Sequence, residues 1–316
     1  MSNFSIIVGI KSFSLSKEEK NYLRKFKPLG VILFKRNVLN KKQVISLIKE
    51  IKNILGSGCL IMIDQEGGRV SRLSKKIWPE FPAANVFGEI AKNDLKKAKK
   101  ATFENFYLIG KELKKLGITY NCAPVLDLLV KNSNAVIGNR SFSRDPKIVS
   151  LLGFEACKGL LKANIKPILK HIPGHGRSKD DSHKKLPEIG LTVAELKDDF
   201  FPFKKLSGFN YAMTAHIKYK KIDNKNCATQ SKIVIKNIIR KLIGFKGVLF
   251  SDDLCMRALK GGYYFRAKKA IEAGCEIVLH CEPNLEYMVK STLGAGKVSA
   301  KLKKPGTWMT QCGLVI

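Results

Sequence analysis

Residues 167–189, PILKHIPGHGRSKDDSHKKLPEI, contain three of the five histidines in the chain of 316 residues. These three are His171, His175 and His183, and Asp181 stands two residues before the last of them. An imidazole gains and loses protons near neutral pH, so the segment suits general acid–base chemistry. Zinc also binds imidazole, but Pro173 and Gly174 interrupt any helix that would align the first two histidines. We therefore favour proton transfer over a metal site.

Other ionisable residues follow short apolar runs that have the composition of β-strands. Eight such runs recur, at residues 5–10, 30–34, 59–66, 118–128, 166–172, 210–217, 247–254 and 276–281. Six of them end in ionisable or amide side chains: Lys35 and Arg36; Asp64, Gln65 and Glu66; Asp127; Lys170 and His171; His216; Asp252 and Asp253. In α/β barrels the chemistry lies at the carboxyl ends of the strands. The pattern favours an enzyme over a scaffold.

Segments with helical periodicity alternate with these runs. Two of them begin with capping boxes, Ser16 with Glu19 and Thr192 with Glu195, and another ends at Gly117. Strict alternation predicts a parallel sheet, and eight units predict an α/β fold consisting of a single (β/α)8 barrel of the TIM type over residues 1–316.

The end of the chain departs from this pattern. Residues 291–316, STLGAGKVSAKLKKPGTWMTQCGLVI, lack the helical period and the length needed to finish an eighth unit. We expect an atypical tail there, of the kind that a divergent or frameshifted end would give. The eighth unit is then expected to be atypical or incomplete.

Composition limits the class of protein further. Lys and Arg number 58 against 26 Asp and Glu, which gives a net charge of +32. The lysines are scattered over every predicted helix without the interleaved aromatic residues of a single-strand groove. We therefore expect a solvated lysine surface that binds polyanions adventitiously, and no specific nucleic-acid partner.

The cysteines and apolar runs bear on the cellular compartment. Eight cysteines occur without CxxC spacing, which predicts reduced thiols. The start, MSNFSIIVGIKSF, lacks the pattern of a signal peptide, and nowhere do eighteen apolar residues run together. We expect a cytoplasmic protein without a membrane partner, as a monomer or weak homodimer.

Five segments appear in order, each at a predicted strand end or in the loop beyond it: IDQEGGRVSRL, VIGNRSFSRDP, KHIPGHGRSKDDSHKKLP, AMTAHI and GFKGVLFSDDLCM. Over about residues 5–285 the chain resembles glycoside hydrolase family 3, in particular its bacterial β-N-acetylglucosaminidases of cell-wall recycling. The most specific element is KHIPGHG followed by DSH, because it resembles the branch with a histidine acid/base rather than the β-glucosidases of the family.

The resemblance implies a retaining exo-β-N-acetylglucosaminidase. Such an enzyme removes terminal non-reducing N-acetylglucosamine from peptidoglycan-derived muropeptides, such as N-acetylglucosaminyl-anhydromuramyl peptides, through a glycosyl-aspartate intermediate. The expected partner is thus a small carbohydrate, and we expect no metal and no organic cofactor.

The resemblance also implies catalytic roles that the chemistry makes reasonable. Asp252, the first aspartate of SDD, is the expected nucleophile, since the side chain of Asp253 alternates to the other face of the strand. His183 is the expected acid/base, and Asp181 can accept a hydrogen bond from its ring and favour the imidazolium. Retaining glycosidases place nucleophile and acid/base about 5 Å apart.

The remaining candidates have binding or structural roles. The expected sugar-binding residues are Asp64, Arg72, Arg140, Lys170 and His171, of which the last two donate hydrogen bonds to hydroxyls. We expect Arg69 to pair with Glu66 and His175 to hold its loop. His216 has two open interpretations, a hydrogen-bond partner of the nucleophile or a satisfied core histidine. Asn139 stands where the family usually has aspartate, which we expect to loosen Arg140.

Two alternative functions remain open. A phosphorylase would use the same glycosyl-aspartate intermediate, because a neutral histidine repels phosphate less than a carboxylate does; product analysis with and without phosphate separates the two. A catalytically inactive, basic barrel would instead bind polyanions with strong salt dependence and show no glycosidase turnover.

Overall fold

The computed structural model describes residues 3–130, 136–178, 180, 182 and 185–299. Its strands are β1 (Phe4–Gly9), β2 (Pro28–Leu33), β3 (Leu60–Ile63), β4 (Tyr120–Asn121), β5 (Lys166–Pro167), β6 (Leu169–Ile172), β7 (Glu188–Ile189), β8 (Tyr211–Thr214), β9 (Lys218–Tyr219), β10 (Val248–Asp253) and β11 (Ile277–His280). The main sheet has the order β5-β4-β3-β2-β1-β11-β10-β8-β6, and each of its strand pairs is parallel.

The sheet closes on itself because its two terminal strands follow each other in the chain. Strands β5 and β6 are separated only by Ile168, whose N–H lies 3.0 Å from the carbonyl oxygen of Asn121. Counted as one strand, they give eight barrel strands within the described residues. The predicted (β/α)8 barrel is therefore confirmed.

The helices surround the barrel. They are α1 (Lys17–Phe26), α2 (Lys41–Leu55), α3 (Ala84–Asn93), α4 (Leu95–Leu116), α5 (Pro146–Lys162), α6 (Lys197–Lys205), α7 (Tyr263–Ala273) and α8 (Leu285–Ala295), with a π-helix at Val234–Leu242. No helix of the described ranges is long and apolar enough to cross a membrane.

Local signals place the helix ends well. Ser16 caps α1 in the predicted box, and Gly117 ends α4 in the left-handed conformation with a φ of 88°. The second box also forms, because the N–H of Thr192 donates to Glu195 over 2.8 Å. It closes a turn just before α6, which begins later than predicted, at Lys197.

The expectation of an incomplete eighth unit is wrong for residues 291–295, since α8 continues to Ala295. The helical period was hidden because the buried face of α8 carries hydroxyls. Ser291 Oγ lies 2.8 Å from His280 Nδ1, and Thr292 Oγ1 lies 2.5 Å from the hydroxyl of Tyr22. Residues 300–316 lie outside the described part of the chain.

Candidate active site

A cavity of about 500 Å³ opens at the carboxyl ends of the barrel strands. It is lined by all six described candidates from the sequence: Asp64, Arg72, Arg140, Lys170, His171 and Asp252. Asp181 and His183 lie outside the described residues. The six residues come from four separate stretches of chain, and they meet because parallel strands end at one edge.

One side of the cavity is a network of buried charges. Lys170 on β6 donates to Asp64 Oδ1 over 2.8 Å and to Glu66 Oε1 over 2.7 Å. Arg140 forms a bidentate pair with Glu66, with both bonds at 2.8 Å, and Arg72 reaches Asp64 Oδ2 at 3.1 Å. Two acids thus hold three cations in fixed positions, and the bidentate pair is the strongest geometry of this kind.

The network keeps its charges despite burial. Burial opposes ionisation of Glu66, but Lys170 and Arg140 outweigh it and lower its pKa to about 2. Burial likewise opposes the charge of Lys170, yet Asp64 and Glu66 raise its pKa above the usual value. The site therefore presents ionised groups to a ligand at neutral pH.

Two expectations about this wall need correction. Arg69 was expected to pair with Glu66, whereas the oxygens of Glu66 accept from Arg140 and Lys170. Asn139 was expected to act on Arg140, but its Oδ1 accepts from Arg69 Nε over 3.1 Å. The orientation of Arg140 follows from Glu66, because a carboxylate matches the guanidinium fork and an amide does not.

A reciprocal amide pair behind the wall was missed by sequence reasoning. The side-chain amide of Asn121 accepts from the backbone N–H of Gln65 and donates to the carbonyl oxygen of Gln65, each over 2.9 Å. The Gln65 side chain also accepts from the N–H of Arg72 over 2.9 Å. This pair joins the end of β3 to β4 and so sets the positions of Asp64 and Glu66 on either side of Gln65.

The two aspartates that end β10 differ in environment. Asp252 lines the cavity, and its Oδ1 accepts from the N–H of Asp253 over 2.8 Å. Asp253 also borders the cavity, but its Oδ1 is occupied by the N–H groups of Cys255 and Cys281, each at 3.0 Å. Asp253 therefore joins the ends of β10 and β11, and Asp252 is the less occupied carboxylate.

The pKa values of Asp252 and Asp253 are shifted in opposite directions. Burial would raise the pKa of Asp252, but His216, His171 and the N–H of Asp253 outweigh it, and the pKa lies below its usual value. Burial raises the pKa of Asp253 above its usual value. Of the two, Asp252 is the stronger candidate for an ionised nucleophile.

His216 fits the second of its two interpretations, a satisfied core histidine, because both ring nitrogens bond groups other than Asp252. Its ring is fully buried, with Nδ1 at 2.7 Å from Thr229 Oγ1 and Nε2 at 2.9 Å from the carbonyl oxygen of Asp253. Burial lowers the pKa of His216, so the neutral ring donates from Nε2 to that carbonyl. It is a satisfied core histidine that holds the peptide following Asp253.

His175 lies in a tightly folded loop stem. A Cβ at Gly176 would fall 2.1 Å from the carbonyl oxygen of Leu128, so only glycine fits there. The His175 ring is buried, with Nε2 at 3.0 Å from Ser182 Oγ, and burial lowers its pKa to about 4. A neutral ring that bonds a residue seven positions later agrees with the expected loop-holding role.

The sequence matches the N-terminal domain of glycosyl hydrolase family 3 over residues 6–304. The chain belongs to glycosyl hydrolase family 3. The prediction of a family 3 glycosidase is confirmed, and the match extends beyond the expected limit at residue 285.

Relatives within family 3 are similar over most of the chain. A β-hexosaminidase of Neisseria meningitidis is 43% identical over 282 residues, which cover 87% of this chain and 77% of that protein. NagZ from Neisseria gonorrhoeae, solved in complex with N-trifluoroacetyl-D-glucosamine, superposes with a TM-score of 0.83 at 37% identity, covering 95% of this chain and 91% of that one. A family 3 β-N-acetylglucosaminidase from Paenibacillus gives a TM-score of 0.84 at 32% identity over 92% of this chain and 56% of that one.

The family 3 site also has an apolar wall that sequence reasoning did not identify. Phe34 follows β2, and the guanidinium of Arg72 lies 5.3 Å from the centre of its ring. Met213, Met256 and Leu279 are among the other apolar residues that line the cavity. The sequence feature that could have indicated this wall is the alternation of side chains along a strand, which points every second apolar residue into the barrel. Across the described residues, no three His, Cys, Asp or Glu side chains converge to hold a metal ion.

Proposed function

We propose that the protein is a retaining exo-β-N-acetylglucosaminidase that acts in the cytoplasm on peptidoglycan-derived muropeptides, without a cofactor. One observation carries the proposal: an ionised carboxylate, Asp252, shares a cavity at the strand ends with the fixed charges around Asp64 and Lys170. The β-hexosaminidase relatives support the N-acetylhexosamine specificity. The KHIPGHG and DSH segments support the muropeptide substrate, because they resemble the cell-wall recycling branch.

In the first step Asp252 attacks the anomeric carbon and the glycosidic bond breaks. The hydrogen bond from the N–H of Asp253 holds one carboxylate oxygen, which leaves the other for the attack. His183, as imidazolium, gives its proton to the departing oxygen, and Asp181 orients its ring. The products are the free aglycone and a glycosyl-aspartate.

In the second step the neutral ring of His183 takes a proton from water. The water oxygen forms a bond to the anomeric carbon, and the ester bond to Asp252 breaks. Two inversions give net retention, and both catalytic groups return to their first protonation states.

The charged wall binds the non-reducing sugar. Asp64 has acceptor capacity beyond its bonds to Lys170 and Arg72, so it can accept from sugar hydroxyls. Lys170 has three N–H donors, of which two are used by Asp64 and Glu66. Arg72 and Arg140 supply further donors to hydroxyls and to the N-acetyl carbonyl.

The test of specificity uses a chromogenic N-acetyl-β-glucosaminide beside the matching β-glucoside, each with and without phosphate. We expect turnover of the first substrate, little turnover of the second, and free N-acetylglucosamine as the product in both buffers. A sugar phosphate would identify a phosphorylase instead. No turnover, together with salt-sensitive polyanion binding, would reject the enzyme in favour of the binding barrel.

The acid/base proposal is tested with His183→Ala. Hydrolysis of substrates with poor leaving groups should fall far more than hydrolysis of an activated aryl glycoside, because only the former need a proton in the first step. Azide should partly restore the rate at which the variant cleaves the activated aryl glycoside. Asp181→Asn should give a milder form of the same defect. An equal loss for all leaving groups without azide rescue would assign the proton transfer to another residue.

A further inference from the structure

Asp127 lies behind the cavity wall and does not line the cavity. The residue is only 1% exposed, yet it carries a carboxylate. The carboxylate accepts from His171 Nδ1 over 2.7 Å, from the N–H of His171 over 3.2 Å and from the N–H of His175 over 2.6 Å. Three donors thus converge on one buried acid, which explains how an isolated carboxylate is tolerated there.

These contacts determine which nitrogen of His171 carries the proton. Burial opposes ionisation of Asp127, but His171 and His175 outweigh it, and the pKa lies below its usual value. An ionised carboxylate only accepts hydrogen bonds, so Nδ1 of His171 must be the donor. In a neutral imidazole the other nitrogen, Nε2, then has a free lone pair.

The opposite edge of the ring faces the site. His171 lines the cavity, and no described residue contributes a hydrogen bond to its Nε2. The titratable groups that face this ring are Asp127, Asp252, His175 and His216, from four different segments. Because His171 lines the cavity, a ligand there can supply a partner for Nε2.

We propose that Asp127 is a positioning residue that fixes the tautomer of His171, so that His171 accepts a hydrogen bond from a sugar hydroxyl at Nε2. This reverses the direction expected from the sequence, in which His171 donates. Lys170 and His171 then offer opposite polarity to the sugar, a donor and an acceptor, and a hydroxyl can satisfy both. The sugar as ligand rests on the proposed function, whereas the tautomer does not.

Asp127→Asn separates the tautomer from the fold. If the amide keeps Oδ1 towards the N–H of His175, where the present bond is 2.6 Å, its NH2 group faces His171 Nδ1. That nitrogen must then accept, and the proton moves to Nε2. In the opposite amide orientation the NH2 group of the asparagine would face the N–H of His175. Two donors would then meet, so this orientation is disfavoured. The same exchange leaves the geometry of Ser-His-Asp enzymes intact but imposes the wrong histidine tautomer.

The first measurement is nitrogen NMR of the histidine rings in the resting protein, with His171→Ala to assign the signal. We expect a proton on Nδ1 and a lone pair on Nε2 in the wild type, and the reverse in Asp127→Asn. A wild-type His171 protonated on Nε2 alone, or on both nitrogens at neutral pH, overturns the inference. This measurement needs no substrate, so its result is independent of the reaction catalysed.

The second measurement is a double-mutant cycle on kcat/KM. Asp127→Asn should lower kcat/KM roughly 10- to 100-fold through lost sugar binding, the range for one hydrogen bond to a buried polar partner. In the His171→Ala background the same change should cost less than about threefold, because its effect acts through the ring. Equal losses in both backgrounds would show that Asp127 only supports the fold. Inactivity of the wild type on every glycoside would reject the proposed function while the NMR result stands.

Discussion

At the scale of single residues, the two aspartates that end β10, Asp252 and Asp253, have different roles. Asp252→Ala should abolish turnover, because it removes the carboxylate that faces the cavity. Asp253→Ala should leave measurable activity but lower the free energy of unfolding by about 1–3 kcal/mol, since it leaves the N–H groups of Cys255 and Cys281 without their acceptor. Kinetics and urea unfolding measure the two effects.

A mechanism-based fluorosugar provides the complementary check of this assignment. It should label Asp252, as peptide mass spectrometry would detect. A label on Asp253 or Asp127 would contradict the division of roles.

The buried carboxylate of Glu66 predicts a pH dependence of stability. Its pKa is lowered from 4.5 to about 2, so its contribution to stability is present above pH 4.5 and is lost as the pH falls towards 2. This contribution is on the order of 3 kcal/mol. Glu66→Gln should therefore lose less free energy of unfolding between pH 5 and pH 2.5 than the wild type.

The matched control for this experiment is Glu89→Gln. Glu89 also pairs with a lysine, Lys92, but its side chain is 63% exposed. Exposed pairs contribute little, so its pH dependence should equal that of the wild type. Equal slopes for all three proteins would mean that the charge network around Glu66 does not stabilise the fold.

At the scale of elements, the contact between α4 and α5 depends on a glycine. A Cβ at Gly159 of α5 would lie 2.4 Å from the carbonyl oxygen of Phe103 and 2.8 Å from the nitrogen of Tyr107, both on α4. Alanine is favoured over glycine in a helix by about 1 kcal/mol, but separating two packed backbones costs about 1–3 kcal/mol or more. We expect Gly159→Ala to lower Tm.

Gly208→Ala is the control, because nothing lies within 4 Å of a Cβ at that position. Its free energy of unfolding should stay within about 0.5 kcal/mol of the wild type. A Gly159→Ala variant as stable as this control would show that the two helices can separate at little cost.

At the scale of the whole molecule, a net charge of +32 implies self-repulsion. Lys96 and Lys97 are exposed in the first turn of α4, where cations also oppose the helix dipole. Changing both to Glu lowers the net charge from +32 to +28. The double variant should have a higher Tm than the wild type at low salt, and the difference should shrink in about 0.5 M salt because ions screen exposed charges.

Thermal unfolding at the two salt concentrations tests this expectation. Lys114→Glu and Lys115→Glu, together, form the control at the other end of α4, with the same change in net charge. They should raise Tm less, since the helix dipole there favours cations. A difference from the wild type that does not depend on salt would reject repulsion as the cause.

The sequence by itself determined the barrel and most of the cavity wall. Alternation of apolar runs with helical periods is a local signal, and it was sufficient for the fold. Polar residues at the ends of the runs identified Asp64, Lys170, His171 and Asp252, which line one cavity because parallel strands end at one edge. The family resemblance added Arg72 and Arg140. The capping of α1 and the end of α4 were equally local.

Only the tertiary structure decided which charged and polar groups pair. Glu66 pairs with Arg140, 74 residues away, and not with the nearby Arg69, because barrel closure brings the fork of Arg140 into register with the carboxylate. In the sequence, the hydroxyl residues Ser291 and Thr292 of α8 indicated a loop. In the structure they form hydrogen bonds with His280 and Tyr22 in the core. The proton position on His171 depends on Asp127, 44 residues earlier. Pairing across such separations depends on side-chain reach after the chain has closed, and no local pattern encodes it.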